Sequence, residues 1–146
     1  KFLDLGFVGE PAAINPHALR VLERSDVIPV VAPIGLGSDG ETYNINADTV
    51  AGAVASAVGA SKLVMLTDVD GVLDKTGKLV HELTARRTRT LMRNGTISGG
   101  MIPKVETCLT AIAASHCAAH ILDGRIPHVL LLEIFTEHGV GTMIVG

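Results

Sequence analysis

Gly99-Gly100-Met101-Ile102-Pro103-Lys104-Val105-Glu106 is the stretch on which the reading of this chain turns. Two glycines lead into an apolar segment, Pro103 suits a first helical turn where a missing N–H costs little, and Lys104 falls about one turn in. Glycines let a backbone approach a ligand closely, and a helix N-terminus favours anions. Lys104 adds a full positive charge at that end, so the segment is suited to hold a phosphoryl group. A plain Gly-Gly turn followed by a solvated lysine is the competing reading of the same residues.

Outward from this helix, which the pattern extends over Ile102–Ala114, strands and helices alternate. Upstream the expectations are a helix over Thr84–Arg93, a turn over Asp74–Lys78 between short strands, a buried strand over Lys62–Thr67 and a small-residue helix over Ala47–Val58. Residues 35–45 read as loop and hairpin. Val27–Ala32, β-branched but with a proline, reads as a strand with an irregular end, and Asn15–Glu23 as a short helix capped by Asn15 with Pro16 in first position. Downstream come a strand at His120–Leu122, a short helix at Val129–Phe135 and a final strand at Thr142–Val145. Such alternation predicts an α/β fold with a mostly parallel sheet. The break at Gly59-Ala60 divides it into residues 1–59 and 60–146.

Composition narrows the function classes. Apolar residues make up 47% of the 146, drawn mostly from Ala, Val, Ile and Leu with no Trp, as in α/β proteins with a buried sheet. A formal net charge of −3 argues against a nucleic-acid footprint. No apolar run is long enough to span a bilayer. The opening Lys1-Phe2-Leu3-Asp4-Leu5-Gly6 lacks an initiator Met and the pattern of a signal peptide, and reads as a chain cut mid-protein. Cys108 and Cys117 are too few for a disulfide framework, so reduced thiols in a cytosol-like compartment are expected.

Other motifs compete. Gly35-Leu36-Gly37-Ser38-Asp39-Gly40 fits G-x-G-x-x-G, but the alternating Glu41–Asn46 that follows reads as strand, not as the helix a dinucleotide site needs. Leu63–Leu73, an apolar strand ending in Asp68-Val69-Asp70-Gly71, is similar to the first motif of haloacid dehalogenase-type phosphatases, with Asp68 as nucleophile and Asp70 as acid/base. That chemistry needs a later acidic pair, and Asp123 stands alone. The offsets of an EF-hand loop are not met. His116 and His120 would share a helix face only if the helix ran past Ser115, and no glutamate of a zinc protease lies between them.

Taken together, Thr42-Tyr43-Asn44-Ile45-Asn46-Ala47-Asp48, Leu66-Thr67-Asp68-Val69-Asp70-Gly71-Val72-Leu73, Gly99 through Glu106, and Ala119-His120-Ile121-Leu122-Asp123-Gly124-Arg125 resemble the acetylglutamate kinases of the amino-acid kinase superfamily, in their C-terminal portion. The resemblance implies a carbamate kinase-like three-layer αβα fold. It makes residues 1–59 the end of the acetylglutamate-binding lobe and 60–146 the nucleotide-binding lobe. It also implies a cytoplasmic (or organelle-stromal) homo-oligomeric enzyme that phosphorylates the γ-carboxylate of N-acetyl-L-glutamate with MgATP, the second step of arginine synthesis. Lys104 would stabilise the moving phosphoryl group, Asp48 would orient the catalytic lysines, and Asn44 would bind acetylglutamate. Asp68, Val69, Asp70, Gly71, Val72 and Leu73, with Thr96, Ile97 and Ser98, would line the ATP site. No side chain is implied as a metal ligand, the ion being held mainly by phosphates and water.

On the residues alone, Asp48 also fits a helix cap, Asn44 a turn former, and Asp68 and Asp70 a strand-ending Asp-Gly turn. A non-catalytic nucleotide-binding or arginine-sensing module is the alternative function. The family's N-terminal portion carries a glycine-rich phosphate loop and a second lysine. These 146 residues alone are therefore expected to bind ATP weakly without turning over acetylglutamate.

Leu130–Met143 resembles arginine-inhibited members. It implies a regulatory L-arginine pocket from Glu133, Lys62 and the Gly139 region, since a carboxylate reads a guanidinium bidentately. One departure stands out. Where family members commonly carry a Glu three residues after Thr84, this chain has Arg87, with Arg86 and Arg89 beside it, placing positive charge at the wrong end of a helix dipole.

Overall fold

The structure is a computed structural model that describes residues 6–136 and 139–146. Lys1–Leu5, the opening discussed above, and Glu137-His138 lie outside the described residues. A small sheet has the order β1 (Val8–Gly9), β3 (Thr42–Ile45), β2 (Ile34–Leu36), and helix α1 (His17–Glu23) precedes β2 in the chain. The glycine-rich segment is the hairpin between β2 and β3: Gly37 N–H donates to Glu41 O at 2.9 Å, and Gly40 takes the left-handed φ of +85° that a side chain would resist.

Helix α2 (Ala47–Val58) leads away from that sheet. Asn46 caps it by accepting from Thr49 N–H, and Gly59 ends it in the left-handed conformation. The second sheet has the order β4 (Lys62–Thr67), β6 (Ala118–Asp123), β7 (Thr142–Val145), β5 (Glu82–Thr84). Helix α3 (Ala85–Arg93) follows β5, α4 (Met101–Ser115) precedes β6, and α5 (Val129–Phe135) joins β6 to β7.

The core lies on one face of this second sheet. Leu63 and Met65 of β4, Ala119 and Ile121 of β6, Leu83 of β5 and Ile144 of β7 alternate onto it and meet Val105, Cys108, Leu109 and Ile112 of α4. Those four recur at i, i+3, i+4, i+7, the stripe that seats a helix on a sheet. Ala51 and Ala55 of α2 pack beside them. Every residue of β6 from Ala119 to Asp123 is buried, so its other face, with His120 and Leu122, is covered too. Both cysteines are free, and burial pushes the Cys108 thiol up to about 12, with Cys117 adding to the shift. No helix among the described residues is long and apolar enough to cross a membrane.

Two expectations, the Val27–Ala32 strand and the Asn15 cap, need correction. Val27–Ala32 is not a strand: it joins no ladder among the described residues, and Ile28 and Val30 are 90% and 95% exposed. Pro29 inside it and Pro33 after it remove ladder donors, which outweighs its β-branched composition. The mostly parallel pairing is found: β1–β3, β4–β6 and β5–β7 are parallel, while β2 runs antiparallel to β3 and β7 antiparallel to β6. Finally, α1 starts at His17 with Pro16 as its cap residue; Asn15 accepts from His17 N–H just ahead of it.

Candidate active site

Chain direction gathers the polar residues at one edge. α2 ends three residues before β4 begins, and α4 ends two residues before β6 begins, so each helix packs back along the strand it feeds. Their N-termini therefore lie toward the C-terminal ends of β4 and β6, the edge where open α/β sheets bind ligands. Asp48 stands in the first turn of α2 and Lys104 in the first turn of α4. Lys104 Nζ donates to Asp48 Oδ2 at 2.8 Å, with the two side chains only 22% and 26% exposed. One turn further along, Gly52 lies against Thr107, where a Cβ would collide with the Thr107 methyl group. The paired contacts run in the same sense, so α2 and α4 lie side by side with two positive helix ends and a lysine at one place. Asp48 holds the lysine head fixed and is not the cap of α2, which is Asn46.

The remaining residues of the proposed nucleotide site approach the same edge. Asp68 and Asp70 follow β4 directly, and Thr67 Oγ1 donates to Asp68 at 3.3 Å. Thr96-Ile97-Ser98 leads into α4, with Ile97 buried and Ser98 O accepting from Met101 N–H. Asn44 is not in a turn but exposed in β3, two residues ahead of the Asn46 cap, with its N–H on Phe7 O at 2.8 Å. Asp68 and Asp70 do not form a phosphatase centre with Asp123. That carboxylate accepts Arg125 Nε and Nη2, each at 2.8 Å, and Arg125 also lies 3.6 Å from Asp70.

The Arg125 fork, assisted by Arg125 N–H, holds the Asp123 carboxyl down at about 2. A folded-state value below the ordinary one, about 4, means that the fork favours the folded chain above that pH and ceases to do so as pH falls toward about 2. Arg125→Gln is expected to return the Asp123 titration upward, toward the ordinary carboxylate range, as followed by carboxyl-carbon NMR.

The second group of expected residues also converges. Lys62, Glu133 and Gly139 line a cavity of about 470 Å³ together with His81, His120, Gly141 and Met143. Glu133 Oε1 pairs with His120 Nδ1 at 2.6 Å, and Oε2 accepts from Val140 N–H at 3.1 Å. Among the described residues His120 Nε2 is buried without a partner, a costly state that a polar ligand atom would relieve. His120 was legible only as a histidine inside an apolar strand, and its pairing with Glu133 was not. His116 is far from that role: it ends α4 in the left-handed conformation. The arginines of α3 are exposed and make no ion pair among the described residues, while Thr84 keeps half a capping box by accepting from Arg87 N–H at 3.2 Å.

The chain is 64% identical over 146 residues to an acetylglutamate kinase of Gluconacetobacter diazotrophicus, covering 100% of this chain and 47% of the relative. It is 60% identical over 144 residues to the acetylglutamate kinase of Parvibaculum lavamentivorans, covering 99% of this chain and again 47% of the relative. The chain thus spans about half the length of the curated relatives it matches. Among solved structures, N-acetylglutamate synthase from Neisseria gonorrhoeae, complexed with coenzyme A and L-arginine, superposes with a TM-score of 0.90 at 28% identity, over 98% of this chain and 33% of its own. The sequence profile of the amino acid kinase family matches residues 2–123, from ahead of the small sheet through α2, α4 and the Asp123 end of β6, and this chain belongs to that family.

Proposed function

We propose that this chain carries the nucleotide-side lobe, residues 60–146, and part of the acetylglutamate-side lobe, residues 1–59, of an ATP-dependent acetylglutamate kinase. The observation that carries the reading is the Lys104–Asp48 pair at two converging helix N-termini. A carboxylate is already a nucleophile at neutral pH, so the reaction needs no general base. Its γ-oxygen bonds to the terminal phosphorus of ATP, the bond from that phosphorus to the bridging oxygen breaks, and ADP leaves. The obstacle is the approach of two anions and the charge on the group in flight, which positioning and fixed positive charge overcome.

Lys104 supplies a compact charge at that place, and Asp48 keeps it aimed without reacting. Asp68–Leu73 and Thr96–Ser98 form the nucleotide wall, and Asn44 faces the acetylglutamate side. Mg²⁺ in this reading arrives with the phosphates of ATP. Identity to acetylglutamate kinases at the level of 60–64% supports the substrate assignment. A cytoplasmic or organelle-stromal setting and a homo-oligomeric enzyme accompany this reading.

The test uses the chain extended to the length of its curated relatives. ATP and N-acetyl-L-glutamate should give ADP together with an acyl phosphate that hydroxylamine traps. A covalent phosphate on Asp68 during turnover would instead favour the phosphatase-type chemistry.

The Glu133 cavity is proposed as an L-arginine site made by Lys62, Glu133 and Gly139, with His120 added from the structure. Its support is the cavity and the L-arginine carried by the Neisseria synthase, whose fold this chain shares. Glu133→Gln removes the charge that a guanidinium would pair with. It should weaken L-arginine binding about tenfold or more in calorimetry.

A further inference from the structure

The connection from β4 to β5 is a hairpin that ties itself together. Asp74 N–H donates to Lys78 O at 2.8 Å, and Val80 N–H donates to Val72 O at 2.9 Å. The Asp74 carboxylate accepts from Thr76 N–H, Thr76 Oγ1 and Lys78 N–H at 2.8, 2.6 and 3.0 Å. A hairpin closed in this way moves as one piece, so its orientation is set at its root.

Two side chains from elsewhere reach that root. Arg125 meets Asp70 at 3.6 Å, but these side chains are 64% and 67% exposed, and a pair in that setting holds little. Thr142 of β7 is different. Its hydroxyl accepts from Val72 N–H at 2.9 Å and donates to Val80 O at 2.7 Å, so one buried group grips both legs. Thr142 is 0% exposed and Val72 1%, which leaves no water to replace the hydroxyl. Gly71 completes the joint. It turns at φ +138°, and a Cβ there would fall 2.7 Å from Thr142 Oγ1.

We infer that Thr142 is a positioning residue whose hydroxyl sets the angle at which Asp68–Leu73 faces the nucleotide. This rests on the proposed reading of Asp68–Leu73 as a nucleotide wall. Thr142 itself touches no substrate. It extends the β7 ladder by one side-chain rung, just ahead of Met143 N–H, which donates to His81 O at 2.8 Å.

Thr142→Val keeps the shape and deletes the hydroxyl, leaving Val72 N–H buried and unpaired and taking from the half-buried Val80 C=O its Thr142 donor; Thr142→Ser keeps the hydroxyl. In the chain extended to its relatives' length, the Val variant should raise KM for ATP about tenfold. KM for acetylglutamate and kcat should stay within about twofold, and the Ser variant should match the parent. If the Val variant does not fold, Thr142→Ala is read in its place with the same expectation.

Amide exchange across residues 68–80 is measured on the same proteins and requires no turnover. It should quicken in the Val variant and not in the Ser variant. Unchanged exchange, an unchanged KM for ATP, or equal rises in both KM values would each overturn the proposal. A parent protein with no ATP-dependent activity, yet with the expected exchange response, would sink the kinase reading and leave the anchoring role of Thr142 supported.

Discussion

Lys104→Ala, in the chain extended to its relatives' length, is expected to lower kcat about 10²–10³-fold, the loss seen when one fixed donor to a developing charge is removed. KM for ATP should change far less. Ground-state ATP is met by several groups, whereas the charge on the transferring phosphoryl group peaks in the transition state. The variant should fold, because Asp48 is 26% exposed and can recruit water once its partner is gone. Lys104→Arg should not restore turnover, since a planar guanidinium spreads its charge and cannot occupy the place of a compact ammonium beside Asp48. Steady-state kinetics with ATP and acetylglutamate varied separately decides the matter. Near-parental turnover in Lys104→Ala would remove this lysine from the reacting centre.

Gly141→Ala should cost this chain about 3 kcal/mol of stability. The added Cβ would run into the backbone carbonyl of Ile121 and come 2.7 Å from Leu122 Cδ2. Ile121 is the register partner of Thr142, so the collision pushes β7 away from β6 at the point where the pairing begins. Backbone cannot rotate aside as a side chain can. Gly52→Ala is the useful contrast. There the neighbour in the way is the Thr107 methyl group, with the Thr107 carbonyl at 3.6 Å, and rotation about χ1 absorbs much of the strain. Urea denaturation of both variants and the parent measures the difference; a Gly141→Ala midpoint equal to that of Gly52→Ala would contradict the expectation.

How much of this was legible in the sequence depended on whether the deciding force was local. α2, β4, α5 and β7 occupy the spans read from pattern, because each is bounded by its own cap, glycine or turn. The Asn46 cap and the left-handed Gly59 are examples. β5 was not read, because Glu82–Thr84 is a strand only by virtue of β7, a partner far along the chain. Val27–Ala32 failed the other way, as a β-branched run with no ladder to join among the described residues. The nearness of Asp48 and Lys104 came from motif resemblance; nothing in the periodicity of either helix says that the two meet. The Arg125 fork and the Thr142 hydroxyl bond are likewise products of tertiary packing, invisible to any window on the chain.

The strand order β4-β6-β7-β5 has a kinetic consequence. β5 sits at the sheet edge with β7 as its one neighbour, and β7 is the last strand of the described chain. Until Thr142–Val145 has been synthesised, β5 has no rung to join, the Val72–Val80 hairpin has no hydroxyl to close on, and Leu83 has no Ile144 to pack against. β4, α4 and β6 all precede Thr142 in the chain and can assemble earlier. The rate of reaching the native state is therefore expected to be governed by a late, long-loop closure, which pays its entropy before it gains its contacts. A nascent chain held on the ribosome just short of Thr142 would carry a protease-sensitive segment from Asp68 to Arg93 beside an already protected β4–β6 pair.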